Sequence, residues 1–211
     1  MDISTFAASR SQNERLVIAP GFCMKPYDID AKRCLCPAGH FNHRCLMAER
    51  SDFIQKAQLE WPLPCSSCDI GTLVHHAARI GADVYIMTSG VDIARDLYLP
   101  AAHGTGARLG LFFLCRYSME AFTWGMLISG MQGAAIPFCM GDCLNHHDFT
   151  QADKGIKESQ THVDTNQWQN ILTILKQLPG HQANNEVLFE YVKSVYLIMK
   201  RCAVTESSCG K

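Results

Sequence analysis

The chain has 211 residues, 47% of them apolar, and Lys+Arg 19 against Asp+Glu 20 leave a formal charge of −1. That is enough apolar chain for one buried core, while the charge balance, with no basic run longer than a pair, offers no footprint for nucleic acid or anionic lipid. No window approaches the roughly 18 uncharged apolar residues of a membrane span, and Met1 to Arg10 lack a basic-then-apolar signal pattern, so a cytoplasmic protein away from membranes is expected.

Residues 1–14 are polar and read as an arm. Leu16 to Ala19 is a short apolar run closed by Pro20-Gly21, which predicts a buried strand with Cys23 just beyond its end. From there to residue 64 periodicity breaks down, apart from a short helix expected around Leu46 to Leu59. Cys34, Cys36 and Cys45 lie in this stretch with His40 and His43. A loop of that length inside a compact domain needs something to order it, and bound metal would do so.

Pro62-Leu63-Pro64-Cys65-Ser66-Ser67-Cys68-Asp69 is the most informative stretch. Two prolines hold the entry extended, and Ile70, Leu73, Val74 and Ala77 then recur at helical spacing up to Gly81. Both thiols are therefore expected at a helix N-terminus, where the dipole and unpaired N–H groups favour thiolate. Cys-x2-Cys on one turn can share one metal centre. A redox dithiol and a pair of inert buried cysteines are the competing readings.

Further on, Val84 to Met87 predicts a strand, Val91 to Leu97 a short helix, and Leu109 to Leu114 the strongest strand, with Cys115 at its end. Ser118 is expected to cap the next helix, which carries Met119, Phe122, Met126 and Leu127. Ala134 to Phe138 predicts a fourth strand, followed by Cys139 and Cys143. Two helices should close the chain, one carrying Trp168, Ile171, Leu172, Leu175 and Leu178, the other Leu188, Tyr191, Val192, Val195 and Met199. Cys202 and Cys209 fall in a peripheral tail.

The expected architecture is a single α/β domain: a four-stranded parallel, Rossmann-like sheet with helices on both faces, a cysteine-rich insertion after strand 1, and a C-terminal helical extension. Residues 15–150 form the core, 151–201 the helices and 202–211 the tail. In such sheets ligands bind beyond the carboxyl ends of the strands. Cys23, Gly90, Cys115 and Cys139 each follow a strand, so Cys23, Cys115 and Cys139 should share one rim.

The eleven cysteines decide the chemistry. Without a signal peptide, such a count favours metal binding or thiol chemistry over a disulfide scaffold. Residues 23–68 hold six cysteines, a surplus that favours an iron–sulfur cluster of the 4Fe–4S kind over a single zinc. Zinc remains the alternative, because Cys65-x2-Cys68 and Cys139-x3-Cys143 have acceptable spacings. The metal candidates are Cys23, Cys36, Cys45, Cys65, Cys68, Cys139 and Cys143. Cys115 and Cys143 are also candidate nucleophiles, with Asp142 or His146 as proton carrier, and Gly90 and Asn145 are candidate cofactor positions. A bland reading of 142–148 is a surface turn whose Asn and Asp cap the next helix. The absence of Gly-x4-Gly-Lys-Ser/Thr and of a dinucleotide fingerprint in context narrows the field. The partner is then a small molecule or a redox protein.

Strand–Cys23, Cys65-Ser66-Ser67-Cys68-Asp69-Ile70-Gly71, Ser89-Gly90, strand–Cys115 with Glu120 and Gly125, and Gly141-Asp142-Cys143-Leu144-Asn145, in this order, resemble an uncharacterised prokaryotic family, domain-of-unknown-function family 116, over residues 15–150. Cys65, Cys68 and Ile70 match its helix opening. Glu120 stands farther from Cys115 than in that family's motif, and Asp142 is interposed in its Gly-Cys segment. The resemblance implies a cysteine-rich, metal-bound α/β protein with no established reaction.

Overall fold

A computed structural model describes residues 15–50, 56, 60–179, 189–192 and 194–198. At its centre the strands β1 (Leu16–Pro20), β4 (Asp83–Val84), β5 (Leu109–Leu114) and β6 (Gln132–Pro137) run parallel. Leu16 pairs with Leu109, and Leu109 in turn with Gln132. The pairing of β1 with the β4 segment continues past Val84, since Met87 N donates to Pro20 O at 2.8 Å and Phe22 N to Met87 O at 2.9 Å. β1 and β5 are buried along their whole length, the continuous apolar pattern of strands covered on both faces.

Alternation sorts the side chains. Leu16, Ile18, Leu111 and Phe113 pack into one core with α2 (Asp69–Ile80) and α6 (Thr165–Gln177), while Val17, Ala19, Phe112 and Leu114 pack into another. That second core also receives Leu97 and Ala101 from the contiguous helical segments Gly90–Ile93, Ala94–Tyr98 and Leu99–Ala102, together α3, and Phe122 and Met126 from α4 (Arg116–Ser129). Helices therefore cover both faces. α2 is the best-specified of them: Ile70, Leu73, Val74, Ala77 and Ile80 are buried at helical spacing, the four larger side chains contributing about 1.5–3 kcal/mol each. Gly81 ends it in the left-handed region at φ 69°, its N–H reaching back to the Ala77 and Ala78 carbonyls.

Three expectations are corrected. The sheet has six strands in the order β6-β5-β1-β4-β8-β7, because β7 (Phe189–Val192) and β8 (Val195–Ile198) form an antiparallel hairpin on the β4 edge. A helix was expected there. Phe189, Tyr191, Val192, Val195 and Tyr196 are aromatic and β-branched residues that favour a pleated surface, and the open edge of β4 supplies the partner, with Val84 opposite Tyr196. Tyr196 is fully buried, its hydroxyl accepting from Cys45 N at 2.9 Å and donating to Glu49 Oε1 at 2.7 Å. Leu188 and Met199 of the expected stripe, with Cys202 and Cys209, lie outside the described residues. Second, the cap of α4 is Cys115 and the helix begins at Arg116, so Ser118 stands inside its first turn. Third, the insertion after β1 has structure of its own: a turn at Phe22–Met24, the ribbon β2 (Tyr27–Asp28) and β3 (Arg33–Cys34), and a helical turn α1 (Leu46–Glu49). Most of residues 51–59, where the helix was expected to continue, lie outside the described residues.

Candidate metal centre and rim thiols

Cys36, Cys45 and the Cys65–Cys68 pair come from three stretches of the chain, yet all four thiols line one cavity of about 10 Å³, closed by Lys25 and Ile86. Ile86 lies two residues past the end of β4, so this cavity lies beyond the carboxyl end of the sheet, where the parallel strands direct their loops. Cys65 sits in a single helical turn (Cys65–Ser67), and Cys68 is the N-cap of α2. Cys45 precedes α1 as its N-cap.

The sign of the thiol perturbation differs from the expectation. Hydrogen bonding to the Gly71 and Ile70 backbone does favour the Cys68 thiolate, but burial outweighs it and raises the thiol. Burial likewise raises Cys65, and pushes Cys45 up to about 12. Each of these thiols also raises its neighbours, because a second buried negative charge is costly. Burial therefore holds Cys45, Cys65 and Cys68 as thiols, which argues against any of them as a lone activated nucleophile.

One cation is built in. Lys25 is 2% exposed, and its Nζ donates to Gly39 O at 2.8 Å, Asn42 O at 3.0 Å and Asn42 Oδ1 at 2.8 Å. Burial lowers its pKa, while Cys36, Cys34, Cys45 and Cys68 pull it back up. The ammonium therefore has two tasks: it folds the 36–45 loop around itself and places positive charge beside the thiols. His43 fastens the same loop to the sheet, its Nδ1 2.7 Å from Ile86 O and its ring stacked on Tyr85. His40 Nε2 lies 2.7 Å from Ala152 O.

The remaining site candidates fall elsewhere on the same rim. Cys23, partly buried, is in the turn after β1, Cys115 caps α4 after β5, and Cys143 is buried in the loop after β6. Cys139 lies two residues past β6 but is exposed, its N–H spent on His162 O at 2.9 Å, so Cys143 provides the inward thiol. Cys115 and Cys143 perturb each other's acidity directly, lowering Cys115 and raising Cys143, and the Ser118 hydroxyl 3.0 Å from Cys115 Sγ lowers Cys115 further. Cys23 is pushed up to about 12 by burial, against the opposing charge of Lys157. That second buried lysine donates to Cys23 O at 2.7 Å and Thr161 Oγ1 at 2.6 Å. Cys34 is near both lysines but does not line the four-thiol cavity.

Asp142 is engaged by Arg116, through its N–H at 2.9 Å and an ion pair with its guanidinium. Its carboxylate also raises both Cys115 and Cys143. Asn145 caps α5 (His146–Asp153), accepting from Asp148 N at 2.9 Å, and Asp148 accepts from Leu144 N. Capping accounts for both residues. Gly90 starts α3 with open space in front of it. His146 Nδ1 lies 3.3 Å from the Tyr117 hydroxyl.

Sequence reasoning missed Lys25 and Lys157, because a lysine in an irregular segment carries no local sign that it will be buried. It also missed His43, Asp92 and Asp96, the one group among the described residues with three metal-ligating atoms all within 4.8 Å of one another. Arg95 pairs with both of those carboxylates, and Thr88 and Ser89 each donate to Asp92 at 2.8 Å. A cavity of about 680 Å³ lies at the opposite end of the strands beside Arg15, Asp83 and Ala107 and contains no thiol. No helix among the described residues is long and apolar enough to cross a membrane. Comparison with protein-family models, with curated proteins and with solved structures gives no match for this chain.

Proposed function

We propose that this is a cytoplasmic iron–sulfur protein in which Cys36, Cys45, Cys65 and Cys68 hold a 4Fe–4S cluster, in a redox or enzymatic role toward a small molecule or a redox partner. One observation carries the reading: four thiols from three chain segments converge on one cavity with a buried ammonium beside them. A thiolate-ligated cluster is anionic, and Lys25 offsets that charge where water cannot. All nine cysteines described are free, as a reducing compartment requires. Cys23, Cys115, Cys139 and Cys143 are not assigned to this centre.

Zinc is the second reading, favoured by the smallness of the cavity, about 10 Å³, which takes one ion more readily than a polynuclear core. The sulfur spacing weighs against a preformed zinc site. Tetrahedral zinc with bonds of about 2.3 Å holds its sulfurs roughly 3.8 Å apart, whereas no three of these four lie mutually within 4.8 Å. Purification without air, followed by a visible spectrum and metal analysis, separates the readings. Brown protein with iron and acid-labile sulfide supports the cluster, colourless protein with zinc supports the second reading, and protein with neither metal refutes both.

A further inference from the structure

Cys115 ends a buried strand and caps a fourteen-residue helix, and it has two polar neighbours: the Ser118 hydroxyl at 3.0 Å and the Cys143 thiol. The segment carrying Cys143 is stitched to the start of that helix. Tyr117 N donates to Cys143 O at 3.1 Å, and Arg116 N to the Asp142 carboxylate at 2.9 Å. Sheet register and these bonds hold the two thiols together without any metal.

Cys115 can be approached from solvent. Between α3 and α4 runs a groove of about 630 Å³, walled by Tyr98, Tyr117, Trp124 and Phe149, in which Glu120 is the only charged lining residue. Thr88, Ile93, Ser118, Phe122 and Phe149 are shared between this groove and a smaller cavity of about 60 Å³, whose wall contains Cys115. An aromatic or aliphatic body fits the outer groove, and a sulfur at its tip would meet Cys115.

We propose that Cys115 and Cys143 form a dithiol that reduces a disulfide bearing a bulky apolar or aromatic group, admitted through the α3–α4 groove. The Cys115 thiolate attacks the nearer substrate sulfur; a Cys115–substrate S–S bond forms, the substrate S–S bond breaks, and one half leaves as a thiolate that takes up the Cys115 proton. Cys143 then attacks the Cys115 sulfur, giving the Cys115–Cys143 disulfide, and the second half leaves with the Cys143 proton. Two electrons and two protons pass from the protein to the substrate, which departs as two thiols. Position divides the roles: Cys115 lines the cavity that opens from the groove and has the Ser118 hydroxyl 3.0 Å from its sulfur, whereas Cys143 lines neither the groove nor that cavity and is left to resolve the mixed disulfide.

Acyl transfer would suit the same nucleophile but requires N–H donors for an oxyanion. At the start of α4 those of Arg116, Tyr117 and Ser118 are already spent on Asp142, Cys143 and Cys115. Exchange at sulfur needs none. This inference stands apart from the four-thiol centre, because neither Cys115 nor Cys143 lines that cavity.

The test uses reduced, full-length protein as purified, without air, and one equivalent of the aromatic disulfide dithiobisnitrobenzoate. Peptide mapping should find a Cys115–Cys143 cross-link with both nitrothiobenzoate halves released. Cys143→Ser should stop at a mixed disulfide on Cys115 with one half released, and Cys115→Ser should leave only slow labelling of exposed Cys139. Gly90→Leu, which fills open space in the groove, should slow the aromatic reagent severalfold and leave cystamine unaffected. First labelling at Cys139 in the unmodified protein, absence of the cross-link, or an aromatic rate untouched by Gly90→Leu would overturn the proposal.

Discussion

Lys25 and Lys157 are both buried cations beside cysteines, but their surroundings are built by different means. Around Lys25 the thiols belong to the insertion and to the entry of α2, and the ammonium is bound by carbonyls of the very loop that carries Cys36 and Cys45. Around Lys157 the neighbours Cys23 and Cys143 follow β1 and β6, and Cys115 follows β5, so strands already paired in register bring them together. The first group is a loop folded around charge. The second is an outcome of the sheet, and it exists whether or not a metal binds. A site of the first kind gains its order from its ligand, while a site of the second kind is preorganised.

The sharpest way to break this comparison is to remove thiols one group at a time. Serine is nearly isosteric with cysteine but a poor soft-metal ligand. Cys65→Ser or Cys68→Ser should abolish metal content per chain, whereas Cys115→Ser and Cys143→Ser should retain it, by elemental analysis of protein never exposed to air. Because serine is well suited to a helix start, circular dichroism should show α2 intact. Equal loss from Cys143→Ser would merge the two groups into one centre.

Next in size is the effect of metal on local order. Chelation should expose residues 34–50 to limited proteolysis while the parallel strands and α6 stay resistant. Identical digestion patterns with and without metal would mean that Lys25, His40 and His43 suffice to hold the insertion.

The two lysines can then be compared directly. Lys25→Met strands three oxygen acceptors and should cost on the order of 2–4 kcal/mol by urea denaturation. Lys157→Met removes two partners and should cost roughly 1–3 kcal/mol without metal loss. A larger cost at Lys157 would reverse the ranking of the two regions.

The smallest effect is a difference in pH dependence. Cys45 is raised from its reference value of 9.0 to about 12 by burial. Its folded-state proton stabilises the metal-free protein below pH 9, and that contribution is lost as pH rises toward 12, at up to about 1.4 kcal/mol per pH unit. Metal-loaded protein, its ligands already thiolates, should lack this decline. Parallel stability curves for the two forms would remove Cys45 from the ligand set.

What the sequence determined was local. The apolar runs of β1, β5 and β6 and the 3.6-residue spacing of α2 and α6 depend on neighbours a few positions away, and the structure has each of them. The placement of Cys65 and Cys68 at the entry of α2 is equally local, since two prolines and one turn decide it. The tertiary structure decided the rest. Residues 189–198 became a hairpin because β4 presented an open edge, a fact located a hundred residues away. The division of the thiols into two groups, and the inward turn of Cys143 rather than Cys139, followed from which strand ends became neighbours. Thiol acidity also escaped local reasoning, because a helix N-terminus lowers it and burial raises it, and burial is a property of the whole fold.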